Sequence, residues 1–496
     1  MTKIIVVAFI TTFLIACNTF NQSEEQTLAQ SYCGGCHQLP TPDLLDKKTW
    51  SENVLPKMAL RLGIEQQPMN FYSGLSPDEI VAITNANIFP EKAVLSKEEW
   101  DKIVKYYIDN APEKLPDSSS KYAISASLTL FTPKTNTTTL GPWVSMLYFD
   151  NPTQKLFVGT RQGKMYILNE QFRQIDSINV GSPPADMHLN TDGSIEALLM
   201  GDMDPNDRST GSWTHFQKIG KENGWKASLK IGQLRRPVQQ LLTDIDADGL
   251  EDALICEFGF HIGQFSWYKQ QKGGTYQAFQ LEGLPGARLI KPYDFNRDGL
   301  LDFFVLMAQG DEQISVFYNK GNGRFEKQIL LRFPPVYGSS YADLIDFNGD
   351  GAMDILYTNG DNADYSMILK PYHGLRIFMN DGHNHFKEEW FFGLNGAAKA
   401  LAEDFDKDGD MDIVAVSYFP GKPQEGFVYF ENQGNMNFKA QTFKTPKQDK
   451  WMLLEKADID QDGDMDVLLG YLERPPYQNL NLKDKTGLMV LENRTK

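Results

Sequence analysis

Asp404-Phe-Asp406-Lys-Asp408-Gly409-Asp-Met-Asp412 runs straight into the apolar segment Ile-Val-Ala-Val. Oxygen-bearing side chains stand at positions 1, 3, 5 and 9, and the glycine at position 6 permits a sharp turn, so the side chains can converge on one hard cation. The pattern recurs as Asp244-Ile-Asp246-Ala-Asp248-Gly249-Leu-Glu-Asp252, Asp294-Phe-Asn296-Arg-Asp298-Gly299-Leu-Leu-Asp302, Asp346-Phe-Asn348-Gly-Asp350-Gly351-Ala-Met-Asp354 and Asp458-Ile-Asp460-Gln-Asp462-Gly463-Asp-Met-Asp466. Successive starts are 50, 52, 58 and 54 residues apart. A period of that size means an array of supersecondary units.

Helix-flanked EF-hand loops end in a bidentate Glu at position 12. Here position 12 is Ile255, Val305, Tyr357, Ala415 or Leu469, and the flanks read as strands, so the loops join β-strands. The alternative is a set of polar hairpin turns without metal, a reading that five repetitions weigh against. Each unit shows four short strands, as in Tyr341 to Asp346, Met353 to Asn359, Leu375 to Asn380 and Phe386 to Gly393. Four strands per unit of about fifty residues is a propeller blade. Two weaker units precede the five, from Trp143 to Gly181 and from Ser182 to Gln233, the second with the degenerate loop Asn190-Thr-Asp192-Gly193, making seven. The last unit runs out after Asn493, so Tyr122 to Phe131 is expected to supply its fourth strand and close the ring.

These residues resemble FG-GAP or VCBS repeat proteins, whose calcium loops resemble those of the integrin α-subunit propeller. The resemblance covers about 370 residues and implies a seven-bladed all-β propeller over 122–496 with about five calcium ions on one face. It implies no reaction.

Near the start, Cys33-Gly34-Gly35-Cys36-His37 matches the attachment motif of a covalent c-type haem: two thiols spaced for the two vinyl groups of a porphyrin, then an imidazole for the iron. A redox dithiol, half a zinc site or a short-loop disulfide are the alternatives. A zinc site would need a second ligand pair, and the other cysteines, Cys17 and Cys256, lie far apart. Trp50-Ser-Glu-Asn-Val54-Leu-Pro-Lys-Met58 resembles the surroundings of the axial methionine in some small cytochromes c, which implies Met58 as second ligand, with Met69 its rival and some other ligand a third reading. Ser96 to Ile108 has a capping-box start and helical spacing, and resembles the C-terminal helix of that family. A small all-α cytochrome c domain is therefore expected over 24–116, followed by a linker over 117–121.

The first residues resemble a bacterial lipoprotein signal: Lys3, an apolar run from Ile4 to Phe13, then Leu14-Ile15-Ala16-Cys17, with lipidation of Cys17 expected. That implies an exported chain anchored in a bacterial membrane and facing periplasm or cell surface, where c-type haem is attached. The whole chain looks like bacterial lipoproteins in which a small cytochrome c precedes a propeller. A formal charge of −17 argues against nucleic acid as partner.

If the acidic loops share one propeller face, the long loops collect on the other, with Phe258, Phe260, His261, Tyr365, Tyr372, His373, Tyr418, Phe419, Arg474 and Tyr477. Such side chains suit recognition of a redox partner protein, a glycan or another small molecule, and equally suit packing between blade tops. Catalytic motifs are absent, His188, His215, His261 and His373 stand isolated in the sequence, and Cys256 reads as a buried small hydrophobe. The leading expectation is an exported electron-transfer protein whose propeller docks a partner or substrate. A propeller dehydrogenase that reduces its own haem and a carbohydrate- or protein-binding surface module are the alternatives; any enzymatic activity would be that of an oxidoreductase.

Overall fold

The computed structural model describes residues 23–117, 121–134, 140–220, 224–361, 367–446, 450–473 and 486–495. From 131 onward these form seven four-stranded antiparallel sheets, in which six take four consecutive strands each and the seventh borrows one from the N-terminal side. Blades 1 to 6 span 144–179, 184–234, 237–282, 287–332, 339–393 and 397–441, and blade 7 spans 453–493. The second strand of a blade is sandwiched by its neighbours and reads as an unbroken apolar run: in Asp252–Glu257, Asp302–Met307, Asp354–Asn359 and Asp412–Ser417 every residue is buried. Outermost strands such as Phe325–Arg332 face solvent and mix charged with apolar residues.

The innermost strands of blades 1 to 6 share a register shift near their start, between Val144 and Met146 in blade 1 and between Ala397 and Lys399 in blade 6. The extra residue of such a bulge is free to leave its own ladder. It reaches the next blade: Ser145 Oγ donates to the Pro184 carbonyl (2.8 Å) and Ser340 Oγ to the Ala397 carbonyl (2.7 Å). Beyond the bulge, ionic groups of neighbouring blades pair, Lys291 with Asp343 at 3.1 Å and Lys399 with Glu455 at 3.9 Å.

Asp186, on the blade 2 inner strand, accepts the Gln240 and Met187 N–H groups (both 2.9 Å). Burial pushes its pKa from 3.8 up to about 7 against these hydrogen bonds. The folded form thus holds this proton more tightly than the unfolded chain does, so the associated stability is complete below about pH 4 and is lost as pH rises through about 7. Asp186→Asn is expected to flatten the urea-midpoint profile between those values relative to the parent; parallel profiles would refute the assignment.

Ring closure follows the expected principle on a different segment. Phe131–Lys134, and not Tyr122 to Phe131, pairs with Leu488–Asn493 to complete blade 7. Residues 122 to 130 are diverted to blades 5 and 6. Ser125 forms a parallel bridge with Gln441, and Tyr122 rests on Phe392 at 5.0 Å between ring centroids.

The N-terminal part consists of short helices, the longest being Lys97–Asn110. Glu24–Tyr32 packs against it, with Lys102 2.5 Å from Glu24. Their core gathers Leu45, Trp50, Val54, Leu55, Trp100, Ile103 and Tyr107. Trp50 Nε1 donates to the Pro42 carbonyl (2.8 Å) and Tyr107 Oη to the Pro40 carbonyl (3.0 Å), so both buried polar tips are satisfied. Among the described residues no helix is long and apolar enough to cross a membrane; Cys17 and its apolar run lie outside them.

Candidate functional site

The acidic loops join the first and second strands of blades 3 to 7, so antiparallel order puts all five on one face. Each loop is built by its own side chains. The position 1 carboxylate accepts the N–H of position 6 in all five, as from Gly249 to Asp244 (2.8 Å) and from Gly409 to Asp404 (3.0 Å). The position 5 carboxylate accepts the N–H of position 7, as from Ala352 to Asp350 (2.7 Å). Position 6 has φ between +83° and +100°, which only glycine adopts at little cost. Position 4 is also left-handed, at Ala247, Arg297, Gly349, Lys407 and Gln461, and four of those five are not glycine. Backbone strain of this kind clusters where the chain must present ligands.

Ligating atoms of Asp244, Asp246 and Asp248, of Asp404, Asp406 and Asp412, and of Asp458, Asp460 and Asp462 lie within 4.8 Å of one another in each set. Burial, then mutual repulsion, raises the pKa of Asp406 and Asp460 above the usual carboxylate range. Asp464, at position 7 of the blade 7 loop, is 3% exposed, and neither carboxylate oxygen has a hydrogen-bond partner among the described residues. Burial followed by Asp462 pushes it up to about 6. Crowded carboxylates with unmet oxygens fit a hard divalent cation. Position 7 is aspartate only in blades 6 and 7, as Asp410 and Asp464, and the fold shows that Asp464 is the buried one.

Position 9 does more than the loop pattern suggests. Asp412 is fully buried: Oδ2 accepts the Phe405 N–H (3.2 Å) and the Tyr429 hydroxyl (2.7 Å), and Oδ1 the Asn432 N–H (2.8 Å). Asp252, Asp302, Asp354 and Asp466 make the same two backbone contacts, to position 2 of the loop and to the end of the third strand. That strand ends in Asn319, Asn380, Asn432 or Asn493 in blades 4 to 7. Asn319 and Asn493 also donate to carbonyls of the preceding blade, Ile245 (3.1 Å) and Phe405 (2.8 Å), linking adjacent loops.

At the other end of the molecule, Cys33 caps the helix Glu24–Tyr32, and the turn that follows leaves Cys36 exposed and His37 half-buried. His37 Nδ1 lies 3.0 Å from the Gln38 carbonyl oxygen, an arrangement in which Nδ1 donates and Nε2 keeps its lone pair. Burial lowers the His37 pKa, with Asp311, Arg332 and Arg61 as its charged neighbours. The Cys33 thiol is pushed up to about 11 by burial and then by Cys36. Neutral imidazole, two free thiols and an adjoining apolar core fit a covalently held porphyrin iron. Met58 and Cys33 both border that core; the Met69 side chain lies outside the described residues.

The helical part sits on the long-loop face. Buried Glu79 accepts the Asp207 N–H (3.2 Å) and lies 3.5 Å from Arg208. Asp207 accepts the backbone N–H of His261 (2.7 Å) and Ile262 (2.8 Å), and its second oxygen faces His261 Nδ1 at 2.8 Å. Burial alone would raise Asp207, yet these donors hold it below the usual carboxylate range. Phe89 and Phe71 set their ring edges against His261 at 5.4 and 6.3 Å, and Tyr372 donates to the Leu44 carbonyl (3.1 Å). His261 and Tyr372, which suited either recognition or packing between blade tops, are thus engaged by the chain's own N-terminal part. His215 also has a partner distant in sequence, Glu196 at 2.7 Å, while His373, Tyr418 and Cys256 are buried. Tyr365, Arg474 and Tyr477 lie outside the described residues.

Residues 294–357 and 404–469 match the FG-GAP-like repeat model. Solved structures align over much of the chain at low identity: the Dos1 propeller (9% identity, 71% of this chain and 77% of that one, TM-score 0.42), the N-terminal domain of Nup159 (10%, 75% and 97%, 0.42) and the Neurospora crassa Pan2 WD40 domain (11%, 72% and 90%, 0.42). The chain carries FG-GAP-like repeats within a seven-bladed β-propeller.

Proposed function

We propose that this chain is an exported, membrane-anchored electron-transfer protein, with haem c held by Cys33, Cys36 and His37 and with Met58 as second axial ligand, carried on a propeller whose acidic loops bind calcium. The observation that carries the reading is the His37 turn: a C-x-x-C-H segment at the end of a helix, with Nδ1 committed to a carbonyl so that Nε2 is left for a metal. The haem supplies one-electron chemistry when bound. Cys33 and Cys36 tether it, and Trp50, Leu55 and Tyr107 contribute an apolar core beside the tether that excludes water. The five-residue π-helical turn Trp50–Val54 immediately precedes the helix carrying Met58, a local device often found at functional sites. Asp78 and Glu79 bind the helical part to blade 2, so the propeller fixes where the redox centre faces. Docking of a redox partner or small ligand falls to the rest of the long-loop face.

A binding module is the second reading, favoured by a cleft of about 370 Å³ on that face, lined by Arg161, Ser182, Asp202, Arg208 and Thr210. Arg161 and Arg208 pair there with Asp204 (2.7 Å) and Asp202 (3.0 Å), so the acidic run 202–207 serves both the cleft and the contact with the helical part.

Expression of the full chain with c-haem maturation machinery, followed by a pyridine haemochrome assay after denaturation, tests the redox reading. Covalent haem in the parent and its complete loss in the Cys33→Ala, Cys36→Ala double variant are expected. No covalent haem in the parent would leave the binding propeller as the better account.

A further inference from the structure

Blade 3 differs from its neighbours at one side chain. Its third strand, Gln264–Gln270, puts Lys269 one residue before its end, and Nζ contacts the Asp246 carboxylate while lying 2.9 Å from Asp248. The ammonium also lies 5.7 Å from the centre of the Trp267 ring, whose Nε1 donates to Asp252 at 2.9 Å. Lysine nitrogen therefore engages loop positions 3 and 5, two of the oxygen donors a metal would use. The corresponding residue elsewhere is fixed by a shared contact, since the next residue in every blade donates its N–H to the position 9 aspartate at 2.8 Å. That correspondence gives Tyr318, Met379, Glu431 and Glu492 in blades 4 to 7. None of these brings a positive charge into its loop. In blade 7, Lys134 lies 3.3 Å from Glu492 and 3.7 Å from Asp460, so its charge is shared with the extra carboxylate, and buried Asp464 keeps two unmet oxygens.

We propose that the Lys269 ammonium is the built-in cation of the blade 3 loop, so that this loop keeps its shape without a divalent metal while the loops of blades 4 to 7 depend on one. The inference rests on the calcium reading above. A divalent ion entering blade 3 must expel a hydrogen-bonded ammonium and leave it near its own +2 charge, whereas in blades 4 to 6 it meets oxygen donors and relieves repulsion, and in blade 7 the Lys134 ammonium stands farther off, 3.7 Å from Asp460, and is held by Glu492.

Calorimetric titration of calcium alone into the chelator-stripped full chain tests this. The expected stoichiometry is four ions per chain for the parent and for Lys269→Arg, and five for Lys269→Met. In chelator, Lys269→Met should melt below the parent and regain the difference with calcium, while Lys269→Arg should melt with the parent. Five ions in the parent, or four in Lys269→Met, would overturn the role given to Lys269. Binding of no calcium by either protein would overturn the calcium reading; the melting comparison in chelator still decides the lysine, because Lys269→Met melting with the parent there refutes a built-in cation. If Lys269→Met does not fold in chelator but folds with calcium, the proposal stands, and failure in both conditions while Lys269→Arg folds to a five-ion protein overturns it.

Discussion

Asp412→Ala is expected to cost on the order of 3 kcal/mol or more of stability, because it strands several buried hydrogen-bond donors at about 1–3 kcal/mol each. The side chain is fully buried, and its two oxygens collect the Phe405 and Asn432 N–H groups and the Tyr429 hydroxyl. Deleting it leaves three donors facing a cavity, each carrying a desolvation penalty of about 1–3 kcal/mol. Asparagine does not rescue the site, because one of its two tips is an amide NH₂ directed at a group that also donates. The loss should persist with calcium present, since the donors belong to the loop backbone and to the third strand, Phe427–Asn432, and not to the metal. Urea unfolding of the parent, Asp412→Ala and Asp412→Asn in calcium and in chelator is the measurement. A loss under 1 kcal/mol in chelator would show that position 9 serves the cation alone.

The second large effect is expected at Asp207. Asp207→Ala removes the acceptor for two backbone N–H groups and for His261 Nδ1 at a 3% exposed site, again leaving buried donors that cost about 1–3 kcal/mol each. Its consequence is local: Glu79 holds Asp207 through the main chain, so collapse of this loop releases the helix Pro77–Asn85 from blade 2. Hydrogen exchange read by peptide should accelerate at 76–85 and 258–262 by at least tenfold, with the inner strands of blades 5 to 7 unchanged. Unaltered exchange at 76–85 would mean that the aromatic contacts of Phe71 and Phe89 hold the two parts together without this network.

Much of the propeller was legible because the five loops are chemically explicit and their spacing equals one blade. The strands assigned around Asp346 fall within two residues of those observed. What escaped the sequence depends on contacts between distant residues. The diversion of Ser125 to Gln441 could not be seen in an alternating stretch that suits any sheet edge. The histidines looked isolated because Glu196 and Asp207 reach His215 and His261 from other strands and loops. Lys269 carries no local mark of its role, since an outward-facing lysine near a strand end is ordinary until the fold brings it beside Asp246. Similarly, nothing in the helical segment announced that Glu79 is a buried anchor; its capping-box spacing from Ser76 explains the residue without the propeller.

Closure of blade 7 has a temporal side. Thr132 and Arg494, which meet across the closing pair, are 362 residues apart in the chain. Bringing such remote ends together costs entropy that grows only slowly with length, about 0.6 kcal/mol for each doubling, yet it must be spent before the contacts reward it. Slow assembly is the expected result of such non-local pairing. During synthesis, the helical segment is complete long before the seventh blade exists, and the segment that closes the ring must wait, unpaired, for the last strand to arrive. A chain cut short within the final forty residues would therefore strand an open ring with two bare sheet edges, and the order of assembly, rather than the strength of any one blade, would govern its yield.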